Sequence, residues 1–178
     1  MNFKTPSIHS NFISQETKNE LNRWTIQNYE KSFFHDANMG VERTRLTTRY
    51  HKNCSDIIFP NAAIEIQNKL QDILKSNGKS FIVCPNYCHG IVNGIGFEGG
   101  DIYEHIDPIY KQNTFTLHCN IISQKSIEGG TTYIDGKKYE TNETDLLMYP
   151  VSQIRHFVDK IVGNIPRILW VFGFCIEL

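Results

Sequence analysis

Residues 101–122 read DIYEHIDPIYKQNTFTLHCNII, two runs rich in β-branched and aromatic residues, 101–106 and 114–122, separated by a polar loop that opens with Pro108. Side chains alternate across a strand, so Thr114, Thr116, His118 and Asn120 share one face, while Phe115, Leu117, Cys119 and Ile121 share the other. One face is polar and the other apolar. Two readings fit this parity: a strand whose polar face lines a pocket between two sheets, or an edge strand with its polar side in water.

Working outward, six further short runs share this texture: 80–83, 90–97, 131–134, 145–149, 155–162 and 167–174, punctuated by glycine and proline. Eight short strands at such spacing predict a closed or two-sheet antiparallel architecture. The texture before residue 79 is different. From Ser14 to about residue 29, Leu21, Trp24 and Ile26 lie among Glu, Lys and Gln, and Ser14 is placed to cap the run, which predicts a helix. From Asn61 to Lys75, Ala62, Ile66, Lys69, Leu70, Ile73 and Leu74 repeat at helical period until Asn77-Gly78, which predicts a second. The expectation is a mainly β protein with about two N-terminal helices as a buttress. It forms one domain over 1–178, with helices and first strands in 1–79 and a β core in 80–178.

At 178 residues, with 40% hydrophobic and 21% charged residues, the chain has the composition of one ordinary globular domain. A formal net charge of -1 gives no general attraction for nucleic acid or an anionic membrane surface. No run approaches the length of a membrane span, and the start MNFKTPSIHSNF lacks the apolar core of a signal peptide, so a cytoplasmic location is expected. The five cysteines, Cys54, Cys84, Cys88, Cys119 and Cys175, are odd in number and scattered, which suits reduced thiols. Cys84, Cys88 and His89 with His51 and Cys54 match no common zinc spacing.

The chemistry concentrates in Tyr103-Glu104-His105-Ile106-Asp107, because residues two apart on a strand share a face and His105 and Asp107 can reach one atom. His156, in a later strand after Tyr149-Pro150, supplies a third donor. Two imidazoles and a carboxylate on one side of a metal form the facial triad of non-haem iron sites, which leaves coordination positions open. By the same parity, Tyr103 shares the metal-facing side or packs in the core. Arg167 follows the turn 163–166 and opens the apolar run Ile168-Leu-Trp-Val-Phe172, where a buried guanidinium needs an anion and its fork suits a carboxylate. Arg43, Arg45 and Arg49 fit either an acidic substrate at the mouth or a solvated strand face.

Taken in order, Gly100-Asp101, His105-Ile-Asp107, Thr114 to Asn120, Gly129-Gly130-Thr131-Thr132, Leu146 to Pro150, His156 and Arg167 form a series. This series resembles the prolyl-4-hydroxylase-like branch of the iron(II)/2-oxoglutarate oxygenases. The resemblance implies a double-stranded β-helix, or jelly roll, with iron(II) on His105, Asp107 and His156. It implies 2-oxoglutarate as cosubstrate, anchored by Arg167, with His118, Thr116 and Tyr103 as further cosubstrate contacts. Oxygen would be the oxidant and ascorbate an accessory reductant. Many relatives carry tyrosine at the position of His118. The carboxylate of Asp107 favours hydroxylation over halogenation, and the implied target is an amino acid or a peptidyl, for instance prolyl, C–H. A catalytically inactive or zinc-holding jelly-roll binding protein is the alternative, and it gives no reason for Arg167.

Overall fold

The computed structural model describes residues 2–32, 34–35, 45–49, 58–84 and 90–178, with backbone alone for 29–32, 34–35 and 45–49. Twelve strands and two helices are found among them. A major sheet runs β1 (Ser7–His9), β10 (Leu146–Tyr149), β7 (Thr114–Gln124), β12 (Arg167–Glu177), β5 (Ile91–Gly96), β3 (Arg45–Arg49), β2 (Phe34–His35), with β4 (Phe81–Val83) also paired to β12. A minor sheet runs β6 (Ile102–His105), β11 (His156–Val158), β8 (Thr132–Ile134), β9 (Lys137–Tyr139). All pairings are antiparallel; the strand count predicts such a two-sheet antiparallel architecture, and the double-stranded β-helix is the form the resemblance implies.

Both helices form where sequence periodicity places them. In α1 (Gln15–Ser32) the Ser14 hydroxyl accepts the Thr17 N–H at 3.0 Å, satisfying one of the first turn's orphan donors. Helix α2 (Asn61–Ser76) has no side-chain cap of its own; instead Glu20 of α1 accepts the Ala62 N–H at 3.2 Å, which ties the two helix starts together. It stops at Asn77 and Gly78, where φ of +67° at Gly78 lets Lys79 N–H reach back to the Leu74 carbonyl at 3.0 Å.

The helices cover one face of the major sheet. Leu21, Ala63, Ile66, Leu70 and Leu74 join Phe115, Leu117, Cys119 and Ile121 of β7 and Ile168, Trp170, Phe172 and Phe174 of β12 in the main core, while Ile26 is exposed. Period two then sends Thr116, His118, Asn120 and Ile122 of β7 and Leu169 and Val171 of β12 to the opposite, inner face. These polar residues are buried and β7 lies between β10 and β12, so the polar side lines the interior and does not face solvent as an edge strand would.

Strands β1, β2, β3 and β9 were not among the eight expected. β9 is joined to β8 through Asp135-Gly136, both at positive φ (47° and 72°), a tight hairpin turn between very short strands. The expected 155–162 strand is shorter, since β11 ends at Val158 and only an isolated bridge pairs Val162 with Glu128. Arg43, His51, Cys54, Cys88 and His89 lie outside the described residues, and Arg45 and Arg49 are described only as backbone of β3. No described helix is long and apolar enough to cross a membrane.

Candidate metal centre

His105 and His156 are register partners on neighbouring antiparallel strands, which places their rings side by side with centroids 4.3 Å apart. Asp107 lies just beyond β6, and its N–H donates to the Val151 carbonyl at 3.0 Å, which holds it in line after the ladder has ended. One ligand atom from each of His105, Asp107 and His156 falls within 4.8 Å of the other two. Among the described residues the structure thus brings together the three donors expected from sequence.

Each imidazole is oriented by its own backbone. His105 Nδ1 is 2.8 Å from the Tyr103 carbonyl and His156 Nδ1 is 3.3 Å from the Ile154 carbonyl. A carbonyl only accepts, so Nδ1 carries a proton in both rings and Nε2 is the atom each ring would offer a cation. Burial lowers the His156 pKa below the ordinary histidine range, outweighing the pull of Asp107 and favouring the neutral form a ligand needs. Burial tends to raise Asp107, but the His105 hydrogen bond and the His118, His156 and His105 charges outweigh it and hold the carboxyl below its usual value. His105 Nε2 lies 3.1 Å from Asp107 Oδ1, so the two candidate donors face one point.

Around this centre the inner face of β7 and β10 adds polar groups. His118 Nε2 lies 3.6 Å from Asp107 Oδ2, the oxygen turned away from His105. Thr116 donates its hydroxyl to the Pro108 carbonyl at 3.2 Å and its N–H to Ser152 Oγ at 2.7 Å; it fixes the loop after Asp107. Tyr149, opposite His118 in register, packs its ring 5.3 Å from His156, and its hydroxyl accepts from Asn120 Nδ2 at 3.1 Å. Sequence reasoning counted Tyr149 and Asn120 as pattern residues and missed them at the site. Cross-strand pairing of β7 with β10 was the signal that would have found them.

Tyr103 departs from simple parity. His156 pairs with His105 but Val158 pairs with Ile102, so Tyr103 and Glu104 together oppose Phe157 in a β-bulge. The extra residue breaks the alternation that would have aimed Tyr103 at the metal. Its side chain is 54% exposed, which also excludes the packed core alternative, and its ring stands 5.5 Å from that of His105 at the rim.

Arg167 is buried, 6% exposed, at the start of β12, and its Nη2 donates to Thr132 Oγ1 at 3.5 Å. The Gly129-Gly130 step lets the backbone pass close by. Both glycines have positive φ, a Cβ on Gly129 would fall within 1.8 Å of the Lys160 carbonyl oxygen, and one on Gly130 within 2.8 Å of Arg167 Cδ. Arg167 lines a small recess with Gly94, Gly96, Ile102, Val158 and Leu169. Ile102 and Val158 belong to the two strands that carry His105 and His156.

No protein-family model matches the chain, and no curated protein matches its sequence. Solved structures do match. A Pseudomonas putida prolyl-4-hydroxylase superposes with a TM-score of 0.68 at 10% identity, over 98% of this chain and 94% of that one. HygX from Streptomyces hygroscopicus, crystallised with nickel and 2-oxoglutarate, gives 0.67 at 8% identity over 97% and 83%. A prolyl hydroxylase from Trichoplax adhaerens, in complex with a hypoxia inducible factor oxygen degradation domain peptide, gives 0.60 at 15% over 94% and 83%. The fold is therefore a double-stranded β-helix, shared with these structures. Within that fold, the prolyl-4-hydroxylase-like structures are among those it matches over nearly its full length.

Proposed function

We propose that the chain is an iron(II)- and 2-oxoglutarate-dependent dioxygenase that hydroxylates a C–H of an amino acid or peptidyl residue, with release of succinate and CO2. The observation that carries this reading is the convergence of His105, Asp107 and His156 on one point, beside a recess lined by the buried Arg167 and by Ile102 and Val158 of the two strands that carry the histidines. The donor set fits the metal: two imidazoles with Nε2 free of backbone, one ionised carboxylate, and few enough protein ligands to leave open positions. Iron(II) held there, with 2-oxoglutarate and O2, would supply the oxidising chemistry.

The chain's own residues bind, orient and exclude water. Arg167, steadied by Thr132, takes the far carboxylate of the cosubstrate, because a buried fork of donors matches a carboxylate and an uncompensated buried charge is costly. Val158, two residues from His156 on β11, lines the recess at Arg167, which puts the proposed cosubstrate path along that strand. Apolar Ile102, Val158 and Leu169 keep that path dry. His118 bears on the outer oxygen of Asp107, which favours one-oxygen ligation, and Tyr103 at the rim is placed for substrate contact more than for the cosubstrate. A zinc-holding binding protein finds no support in a buried arginine at the end of the recess.

The test is succinate formation from 2-oxoglutarate by anaerobically iron-loaded protein on exposure to oxygen, run beside titrations of iron(II) and 2-oxoglutarate binding. Binding of both, with loss of metal binding in His105→Ala, is expected. Failure to bind either ligand would end the oxygenase reading.

A further inference from the structure

We propose that Cys84 and Cys175 form an oxidisable dithiol, a modification site for peroxide-class oxidants that closes reversibly to a disulfide. The proposal does not depend on the oxygenase reading.

Strand register brings the two residues together. Cys175 pairs with Ile82 and Phe174 with Val83, and the Cys84 N–H continues the ladder by donating to the Gly173 carbonyl at 2.9 Å. Cys84 is thus across from Gly173, and Cys175, two residues further along β12, projects from the same face as Gly173. Two side chains on one face at diagonal cross-strand positions are within reach of each other. The glycine between them carries no side chain to separate them, and the Cys84 thiol is hydrogen-bonded to the Cys175 sulfur. Both are reduced, buried cysteines.

Their surroundings separate this pair from the third described cysteine. Cys119 lies on the helix-covered face of β7 among Leu117, Ile121 and Phe172, and burial alone pushes its thiol far above the ordinary range. Cys175 lies on the opposite face of the sheet. The Cys84 thiol above all, with the charge of Lys111, holds its pKa below the usual value against the effect of burial. The thiolate is the form that attacks a peroxide.

Access comes from β4. This strand has three residues and pairs only with β12 among the described strands, so few bonds hold it and it opens at low cost relative to the centre of the sheet. The Cys175 thiolate attacks one peroxide oxygen; an S–O bond forms, the O–O bond breaks, and the departing oxygen leaves as water after taking a proton. The Cys84 sulfur then attacks the sulfenic sulfur, forming S–S and breaking S–O, and a second water leaves. Sulfur loses two electrons and peroxide gains them. Diagonal positions hold their Cβ atoms further apart than a relaxed disulfide prefers, so the bond is expected to be readily reduced.

There is a route from this pair to the candidate metal centre. Cys175 is the register partner of Thr116, which holds the Pro108 carbonyl, and it touches Thr114, whose hydroxyl donates to the Lys111 carbonyl at 2.7 Å. Thr114 and Thr116 therefore clamp both ends of the loop that follows Asp107, and the dithiol adjoins the clamp.

The full-length chain carrying Cys54→Ser and Cys88→Ser is treated with hydrogen peroxide, alkylated without reduction, digested and mapped by mass spectrometry. Expected are a loss of two hydrogens per chain, a linked pair of peptides containing Cys84 and Cys175, and reversal by dithiothreitol. In a further Cys84→Ser variant the link disappears and Cys175 is trapped by dimedone as the sulfenic acid; the same trapping in the Cys84→Ala chain covers a failure of the serine variant to fold. The proposal is overturned if the folded chain retains both thiols after peroxide, or if the linked peptides contain Cys119 in place of either partner.

Discussion

The two faces of β7 make opposite use of one run of residues. Outward, Phe115, Leu117, Cys119 and Ile121 disappear under the helices, where volume and apolar contact decide the outcome. Inward, Thr116, His118 and Asn120 are equally buried yet are occupied with a loop carbonyl, a candidate ligand and a tyrosine hydroxyl. Burial alone does not separate structure from chemistry here; parity does. The outer face is expected to govern whether the chain folds, and the inner face what the folded chain binds.

The largest expected effect sharpens that division from the inner side. Asp107→Ala should weaken iron(II) binding by more than about 100-fold, since even outer partners of metal ligands cost 10- to 100-fold, while the metal-free melting temperature hardly moves. The outer counterpart is Leu117→Ala, which should cost about 2–5 kcal/mol in denaturant unfolding and leave metal affinity of the folded protein unchanged. If Leu117→Ala instead abolished metal binding in protein that remained folded, the two faces would not be separable. Arg167→Lys keeps the charge but loses the fork, and a rise of about tenfold in the 2-oxoglutarate concentration needed for half-maximal turnover is expected.

How much of this was legible in the chain depended on spacing. His105, Asp107 and His156 were readable because strand period two and a strand texture around each residue suffice to aim them, and the helices because their stripes and stops are local. Tyr103 was misread because a bulge requires knowing which residues lie opposite, information held in β11 and not in β6. The same applies to Tyr149 and Asn120, whose meeting depends on the pairing of β7 with β10. β9 escaped because three residues after Asp135-Gly136 give too short a pattern to recognise. His118 is a different case: its parity was readable, but its closeness to Asp107 depends on where the chain goes after the strand ends.

Two smaller effects complete the comparison. His156 has its pKa lowered in the folded state, so it contributes stability above the unfolded histidine value of about 6.5 that is lost as pH falls through the lowered folded pKa. Metal-free protein should therefore lose stability on acidification below that value, and a His156→Gln variant should lose less over the same interval by urea titration. Least of all, Ser14→Ala removes the cap on α1 and should cost about 1 kcal/mol, read from the shift in unfolding midpoint, with no change in metal or cosubstrate affinity.

β12 is the last strand in chain order, yet it is paired with β7 along one edge and with β5 and β4 along the other. During synthesis, β4, β5 and β7 therefore leave the ribosome with those edges unsatisfied and stay so until β12 follows. An open strand edge is a template for the wrong partner. Nascent chains stalled before residue 167 are thus more exposed to aggregation and to chaperone capture than chains in which β12 has emerged, and the major sheet closes only when β12 slides between the earlier strands.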